Sequence, residues 1–285
     1  MNCLLCNSNS EKWNVIRGFA IYSCKTCGHR FVPLQRDHRE HVEDVYSDTY
    51  FNGGGAGYVD YLAEEKILIE RGRSYANWVA GIRRKKGLVL DVGSAAGFVL
   101  QGWIDAGWSG FGIEPNERMA SLARSRGLDV LSGSLEMLAS SLAPKLDCIA
   151  MIQVLSHLMN PLEAIQTAFN LLQPGGILVI ETWDRRSWIA RLQGKGWHEY
   201  SPPSVLHWFS KKSLRLVCEK VGFQHVVTQG VFRWIEAEHA KSLLAHAASQ
   251  SALMKFAHCL SRCIPNRLNL PYPGDDLFRI ALRKP

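Results

Sequence analysis

One stretch constrains this chain more than any other. In GLVLDVGSAAGF (87–98) an apolar run breaks at a turn of small residues and resumes as an amphipathic helix through about Gly107. The next stretch, WSGFGIEPNERM (108–119), repeats the plan, with a short strand ending at Glu114 and a helix opening near Pro115. Gly93 and Gly97 let a ligand approach the backbone closely. An acid ~20 residues further on stands where a parallel βαβ unit offers a carboxylate to a ribose. Glu114 is that acid.

The alternation continues down the chain. Strands are expected at LDVLSG (128–133), LDCIAMIQV (146–154) and GGILVIETW (175–183), with the helix PLEAIQTAFNLLQ (161–173) before the last of these. Alternating strands and helices predict a parallel sheet with crossover helices. Upstream, apolar residues at helical spacing predict a helix from Tyr58 to about Arg84, ended by Arg83-Arg84-Lys85-Lys86.

The first 27 residues carry a separate signal. Cys3-x2-Cys6 and Cys24-x2-Cys27 are two knuckles whose four thiolates suit one tetrahedral Zn²⁺. The other cysteines (Cys148, Cys218, Cys259 and Cys263) are scattered, as in a reducing compartment. A zinc ribbon is therefore expected over 1–45, followed by a Gly-rich linker over 46–60 with four glycines in the five residues 53–57.

Charge narrows the partners. Residues 1–184 hold 17 Lys/Arg and 20 Asp/Glu, a net of −3, whereas residues 185–285 hold 16 and 6, a net of +10. This is a local basic face rather than a general coat for nucleic acid. Residues 1–45 hold six Lys/Arg and five Asp/Glu, so four thiolates on Zn²⁺ leave the ribbon near −1 and poorly equipped for phosphate. No apolar run approaches the ~18 residues of a membrane span. The start MNCLLCNSNS lacks the basic and apolar regions of a signal peptide, so a cytoplasmic setting is expected.

With these features in place, the chain resembles the class I S-adenosylmethionine-dependent methyltransferases. Within them it looks like the branch with an N-terminal zinc ribbon found in sugar and natural-product biosynthesis. The resemblance implies an α/β, Rossmann-like, seven-stranded methyltransferase sheet over 61–285, with a helical insertion at 236–270 before the last strand. It implies a cofactor site at LDVGSAAG (90–97) with Asp91, Gly93, Ala95 and Gly97, completed by Glu114 and Gln153. Ala95 stands where many relatives carry glycine. In QVLSHLMNP (153–161), Ser156 replaces the glutamate usual before the histidine. KKSLRLVCEKVGF (211–223), FQHVVTQGVFRW (223–234) and DLFRIALRK (276–284) resemble the helix before the sixth strand, that strand, and the antiparallel last strand. The insertion's apolar stripe of Leu243, Leu244, Ala247, Leu253, Phe256 and Leu260 reads first as core, with lining of the substrate side or a homodimer interface as the alternatives.

Methyl transfer needs an in-line nucleophile and, for a hydroxyl acceptor, a base for its proton. His157, His198 and His207 are the candidate bases, and GKGWHEYSPPSVLHWF (194–209) has the composition of a lid. Arg185, Arg186, Arg191 and Lys195 follow the fifth strand and suggest a small anionic acceptor, such as a phosphate-bearing nucleotide-sugar. The alternatives are an rRNA or tRNA base methyltransferase and a non-catalytic S-adenosylmethionine-binding scaffold.

Overall fold

The computed structural model describes residues 1–52, 60–138, 145–231 and 275–285, with shorter pieces at 234–236, 241, 259–261, 263–265 and 268–271. The chain opens with a hairpin, β1 (Ser10–Ile16) and β2 (Phe19–Cys24). Its turn residues Arg17 and Gly18 both have positive φ, 51° and 83°, the geometry that matches strand twist in tight hairpins. A short β3 (Arg30–Phe31) follows, then α1 (His38–Val45) and α2 (Asp48–Asn52). Asp37 caps α1 by accepting from the Arg39 and Glu40 amides. Part of the stretch expected as a bare linker is thus helical. Its glycines Gly53, Gly54, Gly55 and Gly57 lie outside the described residues.

The long α3 (Glu65–Arg83) ends at Arg84 in a left-handed cap, φ 61°, where the basic run was expected to end it. The alternating series then appears in order: β4 (Leu88–Val92), α4 (Phe98–Asp105), β5 (Ser109–Glu114), α5 (Glu117–Ser125), β6 (Val130–Ser132), α6 (Leu135–Leu138), β7 (Leu146–Ile152), α7 (Pro161–Leu171) and β8 (Leu172–Trp183). After α8 (Trp188–Gln193) come β9 (His207–Trp208), α9 (Lys211–Val221) and β10 (Gln224–Gly230). A two-stranded pair, β11 (Trp234–Glu236) with β12 (Asn269–Pro271), brackets the region of the expected helical insertion. Most of 236–270 lies outside the described residues. The last strand is β13 (Leu277–Arg283).

Seven strands form one sheet in the order β10-β13-β8-β7-β4-β5-β6. The neighbours β8-β7-β4-β5-β6 are parallel, and β13 runs antiparallel between β8 and β10. The fold is therefore an α/β, Rossmann-like, mostly parallel sheet of seven strands. Both faces are covered, which explains the near-continuous apolar strands. Leu90, Val92, Ile149, Met151, Leu178 and Ile180 face α7 and α9. Val89, Cys148, Ala150, Ile177 and Val179 face α3 and α4. Each fully buried Leu or Ile there contributes about 1.5–3 kcal/mol.

The N-terminal module is joined to this body by more than a linker. Its sheet, β1-β2-β3-β9, takes the fourth strand from residues 207–208. Cys3, Leu5, Cys24 and Phe31 belong to the same apolar cluster as Phe209 and Leu214. Trp197, Tyr200, Leu206 and Trp208 are buried with Ile21 and Val32 of the module. Residues 194–209 are thus a packed seam rather than the lid their composition suggested.

Candidate active site

The strand-to-helix turn after β4 is built by positive φ at Gly93 (71°), Ala95 (47°) and Gly97 (78°). The Gly93 and Ser94 amides donate to the Ile113 carbonyl at 2.8 and 3.0 Å, tying the turn to β5. A Cβ on Gly93 would lie 2.4 Å from Val154 Cγ2, so that position admits no side chain without movement. At the end of β5 the Glu114 carboxylate accepts from the Ala95 amide and the Asn116 amide, both at 2.8 Å. Burial pushes Glu114 up to about 7. Asp91 is also pushed up to about 7, by burial first and then by the nearby Glu114 charge.

A cavity of about 170 Å³ opens above this turn. One side is lined by Asp91, Gly93, Ser94, Ala95, Glu114 and Gln153. Asp91 Oδ2 and Ser94 Oγ are buried and have no hydrogen-bond partner among the described residues. Unsatisfied buried polar atoms are costly, so they are matched by a ligand carrying hydroxyl or ammonium donors. S-adenosylmethionine has both, and this side of the cavity fits it. Gln153, at φ 58°, donates from Nε2 to Glu181 Oε1 at 2.9 Å. Glu181 also accepts from Arg71 and Tyr75, so a buried acid near the end of β8 holds two residues of the lining, Gln153 and Arg71.

The lining also includes His41, Tyr46, Tyr50, His157, Leu158 and Met159. His157 Nδ1 lies 2.7 Å from the Ser204 carbonyl, and burial pushes this imidazole down to about 4. The Tyr46 hydroxyl donates to the same carbonyl at 2.9 Å. His41 is 1% exposed, and neither of its ring nitrogens has a hydrogen-bond partner among the described residues. Sequence reasoning passed over His41, Tyr46, Tyr50, Arg71 and Glu181. The only local signals were a His38/His41 pair at helical spacing and an acid inside an apolar strand.

The candidates are thus divided. His157 lines the cavity with Asp91, Gly93, Ala95, Glu114 and Gln153, whereas Gly97 opens α4 beneath the turn. His198 and His207 do not line it. His198 lies edge-on to Trp183 and beside Glu199, and His207 is buried against His29. Arg186, Arg191 and Lys195 are exposed, and Arg185 packs over Gly28 of the N-terminal module. None of these four cations lines the cavity. Its lining includes Arg71, which is paired with Glu181.

Residues 67–229 match the family described as Methyltransferase domain, a span of more than half the chain. The chain belongs to this family. It is an S-adenosylmethionine-dependent methyltransferase. It is 28% identical over 191 residues to a ubiquinone biosynthesis O-methyltransferase of Histophilus somni, covering 58% of this chain and 78% of that protein. With the protein of the same name in Xanthomonas campestris pv. campestris (strain B100) it shares 28% over 149 residues, 45% of this methyltransferase and only 62% of its relative. In fold it matches the Burkholderia thailandensis 1,6-didemethyltoxoflavin-N1-methyltransferase, with a TM-score of 0.52 and 14% identity over 96% of this chain and 99% of that one.

A second cluster lies in the N-terminal module. The sulfurs of Cys3, Cys6, Cys24 and Cys27 all lie within 4.8 Å of one another, with Cys3–Cys27 at 3.7 Å and Cys6–Cys24 at 3.5 Å. Tetrahedral zinc with Zn–S bonds of about 2.3 Å separates its sulfurs by about 3.8 Å, so the methyltransferase carries a donor set that fits Zn²⁺. Positive φ at Asn7 (57°) and Gly28 (73°) shapes the two knuckles.

Proposed function

We propose that this methyltransferase methylates a hydroxyl oxygen of a small-molecule acceptor held between His157 and α1. The state of His157 is the observation that carries the reading. A carbonyl oxygen only accepts, so the bond to Ser204 keeps the proton on Nδ1 and leaves Nε2 with a free lone pair. Burial keeps the ring neutral through the physiological range. A neutral imidazole lining the cavity is equipped to take a hydroxyl proton.

In this reading Asp91, Gly93, Ala95, Glu114 and Gln153 make up the cofactor side, with Gly97 shaping the turn from beneath and Glu114 accepting from ribose hydroxyls. Bound S-adenosylmethionine supplies a methyl group already activated by its sulfonium. The protein's part is to orient the acceptor, exclude water and receive one proton at His157 Nε2. The aromatic wall of Tyr46, Tyr50 and Phe51 and the unpartnered His41 suit a compact acceptor with an apolar body and hydroxyl groups. Relatives named O-methyltransferases support an oxygen acceptor. A sugar or natural product fits this description. The phosphate-bearing carrier suggested by Arg185, Arg186, Arg191 and Lys195 gains no support from the cavity lining.

Residues 1–45 are proposed to bind one structural Zn²⁺ through Cys3, Cys6, Cys24 and Cys27. Thiolates kept reduced for a metal favour a cytoplasmic setting. The test is transfer of a labelled methyl group from S-adenosylmethionine into cell extract and total RNA by wild type and His157→Gln. Label should enter the small-molecule fraction and fall at least tenfold in the variant. Label confined to RNA, or a fully active variant, contradicts the reading.

A further inference from the structure

His29 and His207, neither of which lines the cavity, form part of a continuous path from the cysteine cluster to His157. We propose that His29 and His207 are positioning residues through which the N-terminal module fixes the tautomer and placement of His157. The inference rests on His157 as base and on the four cysteines as a zinc site.

The path starts at Cys3, whose sulfur lies 3.7 Å from His29 Nδ1. With Zn²⁺ bound, the Cys3 thiolate would accept from His29 Nδ1 and leave its Nε2 as an acceptor. That Nε2 lies 3.2 Å from His207 Nδ1, which would then donate. The two rings stack at 5.2 Å with 7° between their planes, and His29 also stacks on Phe31 and Phe209. Both histidines are buried, at 0% and 1% exposure. Neither ring has room to swing away, so the cluster sets how β9 sits on β3.

The other end of that segment holds the base. The Leu206 and His207 amides both donate to the Ser156 carbonyl, at 2.9 and 3.0 Å, one residue before His157. Two residues before Leu206, the Ser204 carbonyl receives His157 Nδ1–H. The Val32 amide, one residue past β3, donates to the Leu206 carbonyl at 2.9 Å. Residues 204–208 are thus clamped to the module on one side and to the base on the other. A neutral imidazole in water prefers the Nε2–H tautomer, the wrong one for a base acting from Nε2. The Ser204 carbonyl imposes the other tautomer only while it stays in register. An N-terminal ribbon with little positive charge acquires a task in this way: it holds the loop that holds the base.

Nitrogen-15 NMR of the imidazoles in the full-length, zinc-loaded protein tests this, with the His157 ring assigned by its loss in His157→Gln. Wild type should show His157 as a single Nδ1–H tautomer. His207→Phe keeps the ring stack but removes the hydrogen bond to His29. It should retain one zinc per chain and an S-adenosylmethionine Kd within twofold of wild type, while His157 shifts to a mixture containing the Nε2–H form. Removing zinc with a chelator should produce the same shift. An unchanged His157 in both states overturns the proposal. Should zinc removal unfold the whole chain, His207→Phe decides, with His29→Phe in its place if that variant does not fold. Purified protein without zinc would contradict the zinc reading alone, and the histidine variants would still decide the coupling.

Discussion

Two carboxylates with shifted titration sit at the centre of the proposed cofactor side. Asp91 and Glu114 ordinarily titrate near 3.8 and 4.5, and burial raises both to about 7 in the folded chain. The folded protein then holds protons that the unfolded chain releases. Stability from this source is complete below about 4 and is lost as pH rises towards 7. Hydroxyl donors favour the ionised carboxylate, so S-adenosylmethionine should stabilise the protein more at pH 8 than at pH 6. Melting temperatures across pH 5–8 should fall without ligand, and Glu114→Gln should flatten that slope. An unaltered slope in the variant would remove Glu114 as its source. Asp91, Gly93 and Glu114 were legible in the sequence because a strand, a tight turn and the next strand end fix their spacing locally. His41, Tyr46 and Glu181 were not, since α1 comes over the cavity, and the β8 acid reaches Gln153 and Arg71 of its lining, only after the sheet is assembled.

The crossing of α3 and α4 leaves no space between the helices. A Cβ on Gly102 would lie 2.2 Å from the Ile69 carbonyl and 2.7 Å from Gly72 Cα, and one on Gly72 would lie 2.1 Å from the Val99 carbonyl. Gly102→Ala should therefore force the helices apart and cost about 1–3 kcal/mol, measured by urea denaturation. A cost below about 0.5 kcal/mol would show that the contact relaxes freely. The helices themselves were readable from apolar spacing, but this contact was not, because a glycine inside a helix pattern gives no hint of its partner. The N-terminal module divides the same way. Its knuckles follow from C-x2-C spacing, whereas the two-residue β3 and β9 are too short to register as a pattern. Cys24→Ser should release zinc and unfold the ribbon, because binding and folding are coupled. Elemental analysis showing stoichiometric zinc in the variant would contradict that.

At the scale of the molecule, the ordered strand–helix series predicted the parallel sheet, and the observed order β10-β13-β8-β7-β4-β5-β6 agrees with it. No helix among the described residues is long and apolar enough to cross a membrane. The basic character of the last third did not translate into a cationic cavity. Charge counted along the chain says nothing about which side chains a fold turns inward, and the cavity lies under α1 and α2 instead. The account depends above all on S-adenosylmethionine binding at the β4–β5 edge with Glu114 as a contact. Calorimetric titration of S-adenosylmethionine into wild type and Glu114→Ala measures this directly. One site per chain is expected, weakened by about 1–3 kcal/mol in the variant through lost charge-assisted hydrogen bonds. Equal affinity in the two proteins, or no binding to either, would contradict it.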